Sequence, residues 1–155
     1  KVLKAVESRN DEQKSVLFKK ISKHYEGNLS DKTFALWGLS FKPNTDDMRE
    51  APSRVLMEAL WKAGAKVQAF DPEAMEETQR IYGSEENLSL CGTKEATLRG
   101  ADALIIVTEW QEFKAPDFDI IKQTLKHPII FDGRNLFEPK RMNIKSISYH
   151  SIGRS

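Results

Sequence analysis

The sequence predicts an α/β fold: a mostly parallel sheet covered by helices on both faces and preceded by an N-terminal helix. Three observations point there. Short, continuously apolar runs such as Thr33–Trp37 and Ala103–Val107 read as strands buried on both sides. They alternate with helix-period patterns, the arrangement that builds parallel sheets. The first 26 residues contain neither Pro nor Gly and read as one continuous helix.

Each element has its own reason. Gly27 is predicted to end the first helix as its C′ residue. Leu17, Ile21 and Tyr25 recur at four-residue spacing, giving one buried stripe, whereas Glu7 to Ser15 carries no apolar side chain. Strand one follows over Thr33 to Trp37. Pro52 suits the first turn of a helix running to Ala63, with Val55, Leu56, Ala59 and Leu60 inward and Gly64 as the stop. Lys66 to Phe70 is the second strand, closed by Asp71-Pro72. A helix over Glu73 to Tyr82 leads through Gly83 to a short strand at Leu88 to Leu90. Lys94 to Arg99 is predicted as a short helix, Ala103 to Val107 as the fourth strand, and Asp117 to Lys126 as a helix. Pro128 to Phe131 is the fifth strand and Ile144 to Tyr149 the last.

Composition bounds the class. A 39% hydrophobic and 30% charged content is that of an ordinary globular protein with one compact domain and an appendage. A net charge of +1 argues against a nucleic-acid binder that works by bulk charge. No apolar run approaches the ~18 residues of a membrane span, and no secretory pattern is present. One cysteine excludes an internal disulfide and fits a reducing cytoplasm. The chain opens at Lys1 within a helical pattern, so a piece of a longer protein is expected.

The richest segment is Gly38-Leu39-Ser40-Phe41-Lys42-Pro43-Asn44-Thr45-Asp46-Asp47-Met48-Arg49-Glu50, between strand one and the Pro52 helix. Such a loop lies at the carboxyl edge of an open sheet, where ligands bind. With two cations beside a helix N-terminus, it predicts an anion site for a phosphate-bearing ligand. Lys42 and Arg49 are its candidates, against an ordinary surface role for both. At least two of Asp46, Asp47 and Glu50 are expected to complement the helix dipole. A second cluster, Phe131-Asp132-Gly133-Arg134-Asn135, follows strand five. Gly133 is expected to allow a sharp turn that projects Arg134, whose planar fork suits phosphate, carboxylate or vicinal hydroxyls. Thr108-Glu109-Trp110 forms the third edge loop, with Trp110 read as a core-capping aromatic. Cys91 has no evident activating partner, His24, His127 and His150 are scattered without metal-ligand spacing, and no G-x-G-x-x-G is present.

Residues 38–53 closely resemble the C-terminal signature of UDP-glucose 6-dehydrogenases. Phe70-Asp71-Pro72, Thr108-Glu109-Trp110 and Phe131-Asp132-Gly133-Arg134-Asn135 resemble that family in order and spacing. GDP-mannose and UDP-N-acetylmannosamine dehydrogenases share parts of the pattern, and the last two motifs favour UDP-glucose. The resemblance implies a Rossmann-like, doubly wound domain over 28–155 that binds the UDP-sugar. Residues 1–27 would be the end of a central connecting and dimerisation helix. It further implies that Phe41, Lys42 and Arg134 contact UDP-glucose and that Arg49 reaches NAD. The catalytic cysteine, the NAD domain and the acid/base residues would lie upstream, leaving no catalytic or metal-binding residue here and an inactive isolated chain. The intact enzyme would be a cytoplasmic homodimer. Outside the enzyme class stand a self-sufficient nucleotide-binding module and an assembly domain built on the first helix, whose polar stretch makes a poor seam.

Overall fold

The computed structural model describes residues 15–152, so the predicted first helix up to residue 14 lies outside the described residues. From residue 15 the chain forms α1 (15–24), β1 (Thr33–Trp37), α2 (Pro52–Lys62), β2 (Lys66–Phe70), α3 (Met75–Tyr82) and β3 (Leu88–Leu90). After a 3-10 turn at Ala96–Leu98 come β4 (Ala103–Ile106), a second such turn at Gln111–Phe113, α4 (Phe118–Thr124), β5 (Ile129–Asp132), α5 (Pro139–Ile144) and β6 (Ser148–Ser151).

The strands form one sheet in the order β3-β2-β1-β4-β5-β6, and every pairing is parallel. Two halves thus wind outward from β1 and β4, and the strand order reverses between those two. Alternation along each strand divides the core into two layers. Phe34, Leu36, Ile105 and Phe131 face α1, α2 and α3. Ala35, Trp37, Leu104 and Ile130 face α4, α5 and the 3-10 turns. Helix α1 is part of this packing: Leu17 and Ile21 are buried in the first layer, and Tyr25 lies against Phe34 and Phe131. It covers the β5 and β6 side of the face that α2 and α3 leave open, where Lys20 Nζ donates to the Ser151 carbonyl.

Several expectations shift. Two left-handed residues end α1, Glu26 (φ 54°) and then Gly27 (φ 79°), and Gly27 donates its N–H to Ser22 O at 2.8 Å. On α2 the inward stripe is Ser53, Leu56, Met57 and Leu60, while Val55 is exposed. The stripe is rotated because polar Ser53 belongs to it, donating its hydroxyl to Leu39 O at 2.5 Å. Helix α3 begins at Met75, since the Asp71 carboxylate first binds the N–H groups of Glu73 and Ala74, each at 2.8 Å. The expected last strand at Ile144 is the end of α5: Pro139 starts that helix, Ile144 is 83% exposed, and Ser146 (φ 61°) turns the chain into β6. His24 and His150, remote in sequence, come together with ring centroids 4.9 Å apart.

Candidate functional site

The loop after β1 leaves the sheet at the point where the strand order reverses. Gly38 has φ +99°, and a Cβ there would lie 2.5 Å from Thr108 Cβ, so only glycine lets β1 and the end of β4 approach this closely. Ser40, fully buried two residues on, is held on three sides. Its N–H donates to Asp71 Oδ2 (3.0 Å), its carbonyl accepts from Thr108 Oγ1 (2.9 Å), and its hydroxyl donates to Lys42 O (2.9 Å). The chain returns to the core at buried Met48, and between these anchors Phe41 N–H donates to Asp47 O at 2.7 Å. What projects is Phe41, half exposed, with Lys42 and Arg49, both exposed.

Asp71 braces this edge. Its carboxylate is 1% exposed. Oδ2 accepts from Leu39 N (2.7 Å), Ser40 N (3.0 Å) and Trp110 Nε1 (3.2 Å), while Oδ1 accepts from the start of α3. In dinucleotide-binding sheets an acidic residue in this region binds the adenosine ribose. Here every carboxylate lone pair faces a protein donor, so none is left for a ribose. With Gly38 pressed on Thr108 and no glycine-rich turn, the residues of this crevice do not fit a dinucleotide bound in that manner.

Arg134 stands on the neighbouring loop. Asp132, at the end of β5 and fully buried, accepts from Arg134 N (2.9 Å), Leu136 N (2.6 Å) and the Tyr149 hydroxyl (2.7 Å). The guanidinium extends over the sheet edge to Glu109 Oε1 at 2.6 Å. The left-handed residue of this turn is Asn135 (φ 55°), not Gly133. Gly133 serves close approach instead: a Cβ there would meet Ile106 O and Leu17 Cδ2, both at 3.1 Å. Trp110 caps the second core layer as expected, and its indole N–H additionally ties the β4 loop to Asp71.

These loops bound a cleft of ≈ 890 Å³. Leu17, Leu56, Val107 and Gly133 form its apolar part, and Phe41, Arg49 and Arg134 bring aromatic and cationic groups to it. Lys42, on the same loop, is not among the residues lining it. The acidic residues do not cap α2: its first turn holds none and Ala51 makes no side-chain cap. Asp47 turns onto Arg49 instead, accepting from its backbone N–H (2.9 Å), Nε (3.1 Å) and Nη2 (3.0 Å). Those bonds hold the Asp47 carboxyl below its usual pKa and push the guanidinium's up. The first turn of α2 holds no carboxylate, while Asp47 and Glu50 line the cleft beside that helix end together with Arg49 and Arg134. Burial raises the pKa of the Cys91 thiol, which disfavours a nucleophilic thiolate. Among the described residues no group of three or more His, Cys, Asp or Glu is placed to hold a metal ion, and no helix is long and apolar enough to cross a membrane.

Residues 35–139, which carry all of these loops, match the model of the UDP-glucose/GDP-mannose dehydrogenase family, UDP binding domain. The chain belongs to this family. It is 45% identical to a UDP-glucose 6-dehydrogenase of Pseudomonas aeruginosa, over 99% of this chain and 34% of that protein. It is 39% identical to another from Rhizobium meliloti, over 94% of this chain and 32% of that protein. Its fold matches the structure of a UDP-glucose dehydrogenase from the archaeon Pyrobaculum islandicum with a TM-score of 0.78 and 25% identity, over 98% of this chain and 32% of that one. The chain therefore spans about a third of the length of these family members. Sequence reasoning noted the family's Asp71, Thr108, Glu109 and Asp132 as motif letters without roles; the structure makes them braces. Ser40 and Tyr149 carried no separate signal, because their partners lie 31 and 17 residues away in the chain.

Proposed function

We propose that this domain grips the UDP portion of UDP-glucose within a longer NAD-dependent UDP-glucose 6-dehydrogenase, which oxidises C6 of the sugar from alcohol to carboxylate with two NAD. The observation that carries this reading is the convergence of Phe41, Arg49 and Arg134, from two separate loops, on one cleft at the reversal point of the sheet. Phe41 and Arg134 contact the nucleotide sugar. Lys42 adds positive charge beside the diphosphate. Arg49, exposed at the rim, reaches the cofactor held by an upstream domain. NAD supplies hydride acceptance there, and the catalytic cysteine belongs to that domain as well.

The domain's own contribution is positional. Binding energy from the remote UDP group holds C6 near the reacting groups of the other domain. Residues 15–24 continue the central helix through which two copies pair in the cytoplasmic enzyme, and 28–155 form the sugar-nucleotide domain. On this reading the isolated chain produces no NADH from UDP-glucose and NAD.

Calorimetric titration with UDP-glucose, UDP and GDP-mannose tests the proposal. Saturable binding of the two uridine ligands is expected, weakened about tenfold in Lys42→Ala and in Arg134→Ala, as for loss of one charge-assisted contact. Binding of GDP-mannose alone would transfer the assignment to the sister enzyme. Unchanged affinity in both variants would remove these residues from the site.

A further inference from the structure

Thr108 lies beneath the candidate site and does not line it. Val107 borders the cleft, whereas Thr108 is 2% exposed and directed at the first loop. The main-chain ladder between β1 and β4 ends with Val107 N–H donating to Trp37 O at 3.1 Å. Beyond that point the two chains separate into different loops. The Thr108 hydroxyl adds one more rung by donating to Ser40 O at 2.9 Å. Ser40 in turn holds Lys42 O through its own hydroxyl, and Asp71 fixes the Ser40 N–H. Phe41 lies between the two residues so linked.

We propose that Thr108 is a positioning residue for nucleotide-sugar binding: its buried hydroxyl sets the direction in which Phe41 and Lys42 leave the sheet edge. The inference rests on the reading of Phe41 and Lys42 as ligand contacts given above. Its physical content is preorganisation. A loop already held in its binding geometry loses less conformational freedom when the ligand arrives. Thr108→Val keeps the shape but points a methyl group at a carbonyl that accepted a hydrogen bond at 2.9 Å, so Ser40 must move. Thr108→Ser keeps the hydroxyl.

The two variants and the wild-type chain are compared by residue-resolved amide hydrogen exchange without ligand, and by calorimetry with UDP-glucose. Thr108→Val is expected to speed exchange at the Ser40 and Phe41 amides about tenfold, with Val67 and Phe131 unchanged. UDP-glucose affinity falls by a similar factor, and Thr108→Ser restores both to within about twofold. A uniform change across the sheet marks a role in global stability alone and overturns the proposal. So does a loosened loop with unaltered affinity, or no loosening. If the wild-type chain binds no uridine ligand, the functional reading fails, and the exchange pattern still decides whether Thr108 sets the loop.

Discussion

Gly38 and Thr108 touch so closely that the space between them admits no further carbon: a Cβ at position 38 would sit 2.5 Å from Thr108 Cβ and 2.7 Å from its backbone nitrogen. This contact joins the two halves of the sheet at the candidate site. Gly38→Ala adds a side chain at φ +99° and an overlap with backbone, which cannot rotate away. Left-handed strain and overpacking of a filled site together predict a loss of about 3 kcal/mol. Urea denaturation measures it, and an unaltered midpoint would show that the loops separate freely.

Asp132 predicts a graded response. Its carboxylate serves three donors from Arg134, Leu136 and Tyr149, and it is fully buried. Asp132→Asn places an amide NH₂ against at least one of those donors and should cost about 2–3 kcal/mol. Tyr149→Phe leaves the carboxylate its two backbone N–H groups but also takes the acceptor from the Phe137 N–H (3.3 Å), so about 1–2 kcal/mol is expected. Chemical denaturation of both variants gives the order, and a larger loss for Tyr149→Phe would contradict the assignment of Asp132 as the centre of the network.

Tyr25 predicts a gain. Its hydroxyl is buried, and among the described residues nothing hydrogen-bonds it. Burial first, and the Asp102 carboxylate second, push its pKa up to about 12. The unfolded phenol titrates near 10, so below that pH both states keep the proton and the contribution is fully present. As pH rises from about 10 to about 12, the unfolded chain ionises first and stability falls. Tyr25→Phe should stabilise by up to about 1 kcal/mol at neutral pH, since an unpaired buried hydroxyl is removed. It should also shrink the loss between about pH 10 and pH 12, with lysine titration common to both proteins. Equal alkaline sensitivity in the two would place the Tyr25 hydroxyl in water.

Strands β1 and β4 were legible because their apolar runs are local, and β2 because Lys66 to Phe70 alternates polar with apolar residues between Gly64 and Asp71-Pro72. The phase of α2 was not, since Ser53 looks like a surface residue until its partner, the Leu39 carbonyl, is placed beside it. Helix α5 was missed for a related reason. The apolar residues between 142 and 147 fit a strand as readily as a helix end, and only packing distinguishes buried Met142 from exposed Ile144.

The residue types of the candidate site, the loops that carry them and the parallel α/β plan were determined by the sequence alone. Strand-to-helix periodicity and turn chemistry are properties of neighbours in the chain. The tertiary structure decided which of those residues share a cleft, that Asp71 is spent on backbone donors rather than free for a ribose, and that Thr108 reaches Ser40 across the sheet. Those contacts span 31 to 68 residues. A hydrogen bond over that separation depends on the register of β1 against β2 and β4, and no local pattern encodes it.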